Sequence, residues 1–247
     1  METITSVSIL TKLVETQFNS GSYLFRGQSE DWPLKPKIGR GTLKDDFLAQ
    51  EQNLLEEFRL RSRPHLVTPE RNPWDLLAIA QHHGMSTRLL DWSQNALAAL
   101  WFAVKDDPKE GDHGVVWGLP VTQSDVARPD EETPFDGNRT KVFRPSHVTK
   151  SIVAQSGWFT VHKFIRKEKR FVPLEKNKLY KRQCAKLVVP HSHFLLLRHQ
   201  LDQLGVNHST MFPDLNGLCD YLNFTHGPRF AVMRFPRTGN PSKKKED

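Results

Sequence analysis

The stretch QHHGMSTRLLDWSQNALAALWFA, residues 81–103, determines the predicted fold. Its first residues end a helix at Gly84, because glycine readily adopts the left-handed conformation that stops helices. Residues 85–92 leave room for only one short strand, and a second helix starts at Ser93 or Asn95. Several polar side chains are thus packed at helix–strand and strand–helix junctions, where a rigid scaffold often positions binding groups.

Upstream, the spacing of apolar residues predicts further helices and a strand. Residues 5–18 form the first helix in this interpretation, and residues 22–27 form a strand that alternates between two faces. The next helix is predicted to begin at Thr42 as a capping residue, with Glu51 at the polar edge of its apolar stripe. A helix that starts at Asn72 then leads into the stretch quoted above.

The second half of the chain contains more strand signals than helix signals. Strands are predicted near 113–117, 150–155, 157–165, 185–190 and 228–235, with helices near 191–204 and 213–223. Helices interspersed in the first half and strands in the second favour an α+β fold. We predict a single domain over residues 1–240, with a central mixed or antiparallel sheet and flanking helices, followed by a charged tail at 241–247.

The composition is typical of a globular protein with a sizeable core. The chain has 247 residues, of which 37% are hydrophobic and 26% are charged. No run approaches the roughly 20 apolar residues of a membrane-spanning helix, and the N-terminus lacks the regions of a signal peptide. Cys184 and Cys219 have apolar neighbours and are predicted to be reduced, buried thiols. These features predict a cytoplasmic protein with no membrane association.

The positive charge of the chain is concentrated in one segment. The net charge is +7, and residues 162–186 hold ten Lys or Arg against two Glu, which gives that segment +8 and leaves the rest near −1. A localised basic surface favours a polyanion partner, RNA or DNA, although a solvated Lys-rich face is an equally good interpretation. Residues 166–182 are expected to project from the flanking strands. The candidate nucleic-acid contacts are Lys163, Arg166, Lys167, Lys169 and Arg170.

Arg26 is the first candidate for ligand binding. It lies at the end of a predicted strand, and Gly27 leaves the backbone open to a ligand. The guanidinium could bind a phosphate or a carboxylate in bidentate fashion. A structural alternative is a pair with a buried carboxylate such as Asp91, and residue types alone favour this alternative slightly.

Other kinds of site have weaker support. His82 and His83 are neighbours whose side chains diverge at a helix end, which is a poor spacing for a metal, and no metal site is predicted. The sequence contains neither a Gly-rich phosphate loop nor a Gly-x-Ser-x-Gly turn. Trp92 and Trp101 are predicted to lie in the core, although either could form one wall of a base-stacking pocket.

Four short stretches resemble the FRG family, which is named for its Phe-Arg-Gly motif. They are Phe25-Arg26-Gly27-Gln28, residues 81–93, residues 152–160 and residues 211–217. Their order extends the resemblance over most of the chain. The family is often met in prokaryotic proteins, including presumed phage-defence genes, so the resemblance implies a defence or toxin-like context.

The layout is also similar to that of ADP-ribosyltransferases that use NAD. Those enzymes have an Arg-Gly at the end of an early strand, then a strand bearing Ser or Thr, then a helix with spaced Ala and aromatic residues. The resemblance implies an ADP-ribosyltransferase-like fold, in which Arg26 contacts NAD while Ser86 and Thr87 order the site.

The chain departs from that superfamily at one position. A later glutamate activates the reaction in those enzymes, but Gln155 occupies the corresponding stretch here. Glutamine cannot act as a base or carry negative charge. Either Gln155 hydrogen-bonds a ribose hydroxyl or the site binds without turnover, and Asp91 or Asp214 could supply the missing charge.

The resemblance therefore implies transfer of ADP-ribose from NAD, with NAD as substrate and no metal. The implied catalytic residues are Arg26, Thr87, Asp91 and Gln155, and the implied NAD contacts are Phe25, Arg26, Gly27, Gln81, His82, Ser86 and Thr87. The expected acceptor is a nucleic acid brought in by residues 162–186, and an inhibitory protein is a further expected partner. Two alternatives stay open: a non-catalytic module that binds nucleic acid or a partner protein, and a metal-independent ribonuclease that uses His82 or His83 with Arg26.

Overall fold

A computed structural model describes residues 2–19, 22–66, 72–106, 111–146 and 149–227. Their strands are β1 (Glu2–Thr3), β2 (Ser22–Gln28), β3 (Leu89–Ser93), β4 (His113–Val121), β5 (Lys141–Phe143), β6 (Gly157–Val161), β7 (Phe164–Ile165), β8 (Arg170–Phe171) and β9 (Ala185–Pro190). One sheet has the order β1-β9-β4-β2-β3-β6-β5, and β7 pairs with β8 in a separate sheet. β1 is parallel to β9 and the other pairs are antiparallel. The predicted α+β fold with a mixed sheet is confirmed.

Helices flank the large sheet. They are α1 (Val7–Gln17), α2 (Phe47–Arg61), α3 (Pro73–His82), α4 (Ala96–Val104), α5 (Lys150–Ala154), α6 (Phe194–Gln203), α7 (His208–Met211) and α8 (Leu215–His226). The ends predicted around β3 are confirmed. Asn72 accepts a hydrogen bond from the Trp74 amide at 2.9 Å, and Asn95 accepts one from the Leu97 amide at 2.9 Å. Gly84 has the left-handed φ of 88° that follows α3.

The large sheet is weakly joined between β2 and β3. Every residue of β2 pairs with β4, and every residue of β3 pairs with β6. Between β2 and β3, in contrast, the register contains only the pair Phe25–Ser93. Backbone groups on the facing edges beyond that pair need other partners, because buried backbone polar groups are almost always hydrogen-bonded. The sheet thus splits at its centre.

Helix α4 packs closely on β2 beside this split. A Cβ atom added at Gly27 would lie 1.7 Å from the Ala99 carbonyl oxygen and 2.6 Å from the Ala103 amide nitrogen. The space beside the Gly27 Cα is therefore filled by α4, which corrects the expectation that this glycine keeps the backbone open to a ligand. Phe25 belongs to the same core and contacts Phe18 edge to face at 5.4 Å.

Two local predictions in the helices are wrong. Residues 150–155, predicted as a strand, form α5 and its C-terminal end, and Thr149 caps that helix by accepting from the Ile152 amide at 3.2 Å. The helix expected to begin at Thr42 begins at Phe47, without a side-chain cap. Glu51 is buried rather than at a polar edge, with 3% of its surface exposed.

The basic segment does not project freely, which corrects the prediction for residues 166–182. Phe171, Leu174 and Tyr180 are almost fully buried. The centroid of the Phe171 ring lies 5.4 Å from that of Phe164 and 5.7 Å from that of Phe47. These ring contacts hold β8 against α2. Burial of these anchors leaves the intervening lysines and arginines at the surface.

The two cysteines differ from each other. Both are free thiols, as predicted. Burial and the nearby Glu175 carboxylate raise the pKa of Cys184 to about 12, whereas Cys219 is exposed, so the prediction of burial is wrong for Cys219.

None of the helices in the described ranges has the length and apolarity needed to cross a membrane. The strand predicted at 228–235 and the tail at 241–247 lie outside the described residues.

Candidate functional site

A cavity of about 330 Å³ lies where β2 and β3 separate. This volume is in the range of small-molecule pockets. Residues from β2, α3, β3, α4 and the end of α5 contribute to its wall. Seven residues expected at the site line it: Phe25, Arg26, Gly27, Gln81, His82, Asp91 and Gln155.

Arg26 crosses the split in the sheet. Its Nη1 donates to the Asp91 backbone oxygen at 2.7 Å and lies 3.5 Å from the Asp91 carboxylate. The predicted contact between these two residues is confirmed, and it gives a strand carbonyl the partner that the short ladder does not provide. Burial lowers the pKa of Arg26, and Arg40 acts in the same direction, while Asp91 opposes both. Nε of Arg26 is buried and has no hydrogen-bond partner within the described ranges.

Asp91 is the more exposed residue of this pair. Its side chain is 55% exposed, against 15% for Arg26. The structural alternative assumed a buried carboxylate, and Asp91 is not one. One carboxylate oxygen accepts from Gln81 Nε2 at 3.1 Å. The carboxylate is thus held at the cavity wall by the Gln81 hydrogen bond and by the ion pair with Arg26, while remaining accessible to a ligand.

Thr87 lies behind the cavity wall and orients a residue that lines it. It is buried, and its hydroxyl donates to Gln81 Oε1 at 2.7 Å while accepting from the Leu89 amide at 3.0 Å. Because Gln81 in turn donates to Asp91, Thr87 fixes the orientation of a group that lines the cavity. Neither Ser86 nor Thr87 is among the residues that line it.

Gln155 reaches the cavity from the far side. It caps the C-terminal end of α5, two residues before β6. The side-chain Nε2 of Gln155 donates to the Met211 carbonyl oxygen at 3.0 Å. The backbone carbonyl oxygen of Gln155 accepts from the Ser93 hydroxyl at 2.6 Å. The amide nitrogen of the side chain is thereby committed to packing α5 against α7. Asp214 caps α8 through the Gly217 amide at 2.8 Å and is not among the lining residues, which leaves Asp91 as the better candidate carboxylate.

His82 contributes a titratable group to the wall. Burial lowers its pKa and the adjacent His83 lowers it further, whereas Asp91 and Asp214 act in the opposite direction. A lowered pKa keeps the imidazole neutral at neutral pH, so that it can accept a proton. In the described part of the chain, no group of three or more His, Cys, Asp or Glu could hold a metal ion.

Several lining residues were not predicted from the sequence. They are Gln28, Trp32, Arg40, Phe102, Lys105 and Phe212. Gln28 could have been found, because it lies two residues after Arg26 on the same face of β2. Trp32 and Arg40 lie in a turn-rich stretch without periodicity, where no local signal indicates which side chains face the site. Arg40 and Lys105 add positive charge beside Arg26.

The predicted nucleic-acid residues lie elsewhere. Lys163, Arg166 and Lys167 line a second cavity, of about 420 Å³, and none of the five predicted contacts lines the cavity at Arg26. Lys169 pairs with Asp45 at 2.6 Å, and Arg170 pairs with Glu168. The basic surface and the Arg26 cavity are therefore separate sites.

The fold and the cavity define an α+β protein with a polar cleft at the centre of a split sheet. Residues 21–112, which are less than half of the chain, match the family model of the FRG domain. The match includes β2, α3, β3 and α4, which carry Arg26, Gln81 and Asp91. It ends before Gln155, so the proposed extension of the resemblance to residues 152–160 and 211–217 stays a prediction. No curated protein and no solved structure matches the chain.

Proposed function

We propose that the Arg26 cavity binds NAD and that the protein transfers ADP-ribose from it. One observation carries the proposal: of the four residues expected to be catalytic, Arg26, Asp91 and Gln155 line a single cavity. The fourth, Thr87, lies behind the wall and donates to Gln81, which lines it. Arg26 and Asp91 lie on β2 and β3, Gln155 lies two residues before β6, and these three strands are neighbours in the sheet. Convergence of polar groups from distant parts of a sequence on one concave surface is typical of a ligand site.

The charges of the cavity fit a dinucleotide. Arg26, Arg40 and Lys105 lie in its wall. Lys105 is already paired with Asp106, so Arg26 and Arg40 are the groups that can neutralise a pyrophosphate. A guanidinium can bind phosphate oxygens in bidentate fashion, and Nε of Arg26 is a donor without a partner in the described residues. Burial strengthens such contacts, since the local dielectric is lower than in water.

The transfer would use the carboxylate of Asp91. The bond between nicotinamide and the ribose C1′ breaks, and its electron pair leaves with nicotinamide. Positive charge develops on the ribose, and Asp91, oriented by Gln81 and Arg26, stabilises it. A lone pair of the acceptor forms the new bond to C1′, and neutral His82 takes the proton that the acceptor loses. Gln155 hydrogen-bonds a ribose hydroxyl, and Thr87 is a positioning residue.

The acceptor and the cellular setting belong to the same proposal. A nucleic acid bound at the basic surface is the acceptor, because that surface provides charge without base-specific groups. A defence or toxin-like context, an inhibitory protein partner and a cytoplasmic location rest on the family resemblance and on the composition.

Release of nicotinamide from NAD by the purified protein, with RNA, DNA and protein acceptors present, tests the proposal. Arg26→Lys keeps the charge but removes the planar two-pronged donor, and Arg26→Ala removes both, so both variants should lose activity. Asp91→Asn should lower kcat by about 10²-fold, as is typical of the loss of one preorganised electrostatic group. The exposed Arg61 of α2, changed to Lys, is the matched control and should keep full activity.

Thermal unfolding of each variant separates catalysis from folding, because Arg26 also joins two strands. Folded wild-type protein that neither binds NAD nor releases nicotinamide with any acceptor would contradict the proposal. In that case the binding-module alternative replaces it. Shortening of the RNA in the same reactions would instead indicate the ribonuclease alternative.

A further inference from the structure

Trp32 forms an exposed aromatic wall of the Arg26 cavity. Its side chain is 43% exposed, unlike most large apolar residues near the sheet. The chain on either side is fixed. Asp31 pairs with Lys186, and the buried Leu34 donates its amide to Glu175 at 3.1 Å and accepts from the Leu174 amide at 2.9 Å. The indole is thus presented to the cavity by an anchored loop.

An anchored and exposed indole is suited to stacking. Aromatic side chains beside guanidinium groups form the platforms on which nucleic-acid bases stack. Arg26 and Arg40 line the same cavity as Trp32, so a ring on Trp32 would lie beside groups that bind an attached phosphate. A ring bound in the cavity would cover the exposed indole and gain its large apolar contact area.

Gln28 provides a hydrogen-bond acceptor beside Trp32. Its Nε2 donates to the Trp32 carbonyl oxygen at 3.2 Å, which fixes the orientation of the amide. The other end of that amide, Oε1, is buried and has no hydrogen-bond partner in the described ranges. A buried acceptor without a partner is costly, so the site favours a group that donates to it. Gln28 is among the residues that line the cavity, so a ligand bound there lies beside this amide.

We propose that Trp32 and Gln28 bind a planar heteroaromatic ring that carries an N–H donor at its edge. The ring stacks on the indole, and the N–H donates to Gln28 Oε1. Arg26 and Arg40 bind the phosphate attached to the ring's ribose. This inference rests on the proposed function and sharpens it, because NAD carries two groups of this chemistry: the amino group of adenine and the carboxamide of nicotinamide.

Two pairs of mononucleotides distinguish these sources. AMP is compared by calorimetry with purine riboside monophosphate, which lacks the amino group. Nicotinamide mononucleotide is compared with nicotinate mononucleotide, whose carboxylate cannot donate. In the wild type, one member with the donor should bind about tenfold more tightly than its counterpart, a size typical of a hydrogen bond to a buried group. The pair that shows this preference identifies the ring at Trp32.

Variants then assign the preference to the two residues. Trp32→Ala should weaken binding of the preferred mononucleotide by about tenfold or more, and Trp32→Phe should retain most of it. Gln28→Met should abolish the preference within the pair while leaving the donor-lacking ligand unaffected. Leu196→Ala is the matched control, because Leu196 is similarly exposed, at 47%, and lies on α6 away from the cavity.

The outcomes separate this inference from the proposed function. Unchanged affinities in Trp32→Ala, or a wild type that binds neither mononucleotide, would overturn the inference even where NAD turnover is intact. Binding of AMP or nicotinamide mononucleotide that depends on Trp32 and Gln28 would support it even if nicotinamide release were never detected, and only the transferase proposal would then fail.

Discussion

The sequence presented two alternative roles for Arg26, a ligand-binding guanidinium and a structural partner of Asp91. The structure shows the contact with Asp91, because Nη1 donates to the Asp91 carbonyl oxygen. That contact is compatible with the proposed ligand role, because Nε stays without a partner in the described residues. A single side chain can do both because the guanidinium has five donors in a rigid fork.

Gly27 is required for packing, and its replacement tests this account. In Gly27→Ala the new Cβ would lie 1.7 Å from the Ala99 carbonyl oxygen, a backbone atom that cannot move without shifting α4. We expect a loss of about 1–3 kcal/mol or more in the free energy of unfolding, as for other overpacked cores. Urea unfolding followed by circular dichroism measures it.

Gly41→Ala is the matched control for this substitution. No atom lies within 4 Å of a Cβ added at Gly41, and its backbone does not require positive φ, so its unfolding midpoint should change little. If Gly27→Ala unfolds at the same urea concentration as the wild type, helix α4 does not impose the glycine, and the ligand interpretation of that position regains weight.

At the scale of elements, a buried ion pair joins α2 to β3. Arg88 and Glu51 have side chains that are 1% and 2% exposed. Nε of Arg88 donates to Glu51 at 2.8 Å, a second donor contacts the other carboxylate oxygen, and Nη1 donates to the Pro134 carbonyl oxygen at 3.1 Å. Arg88, adjacent to Thr87 in the FRG-domain stretch, is therefore structural rather than part of the cavity.

Replacing one residue of this pair should destabilise the fold far more than the pair of charges contributes when both residues are replaced together. Arg88→Met or Glu51→Leu leaves an uncompensated buried charge and should lower the free energy of unfolding by about 3–5 kcal/mol. The double variant should lose much less than the sum of the two. A double-mutant cycle in urea measures the difference.

The exposed pair Arg61–Glu57, with side chains 82% and 54% exposed, is the control for that cycle. Arg61→Met should change stability by less than about 1 kcal/mol. Additive losses at Arg88 and Glu51 would show that the two charges do not compensate each other, contrary to the geometry.

The elements also show where sequence reasoning succeeds. The ends of α3 and α4 were predictable, because Asn72 and Asn95 cap through contacts a few residues away. Helix α5 was missed because the β-branched Ile152 and Val153 favour a strand locally. Glu51 was misread because its partner is 37 residues distant.

The same reasoning applies to the cavity. The contact of Arg26 with Asp91 followed from complementary charges at two strand–helix junctions. Trp32 and Arg40 were missed, because the loop that carries Trp32 is positioned by long-range anchors such as Glu175. Periodicity cannot encode a contact of that kind.

At the scale of the whole molecule, charge is divided between two sites. The Arg26 cavity is small and mixed in charge, with Asp91 and Asp106 beside its cations. The surface of residues 162–186 is open and basic, because nine of its ten Lys and Arg residues are exposed and only Lys186 is partly buried. A small ligand suits the first site, and an extended polyanion suits the second.

Binding of RNA or DNA by the basic surface should depend on charge rather than on sequence. Lys169 and Arg170 already sit in ion pairs, so Arg166 and Lys167, which line the second cavity, give the sharper substitution. The affinity falls as salt rises, and each neutralised phosphate adds close to one to the steepness of that fall on a log–log plot. Arg166→Glu with Lys167→Glu should therefore make the salt dependence shallower by about 2. Filter binding of one RNA and one unrelated DNA over a salt series measures it.

The control changes the net charge by the same amount elsewhere. Lys12→Glu with Lys150→Glu alters two exposed lysines outside residues 162–186. This variant loses the same amount of long-range attraction to the nucleic acid but no phosphate contact. Its affinity should therefore fall slightly, while the dependence of its log affinity on log salt stays that of the wild type. Equal slopes for all three proteins would mean that Arg166 and Lys167 contact no phosphate. Residues 162–186 would then be a solvated face, and any nucleic-acid acceptor would have to reach the Arg26 cavity without them.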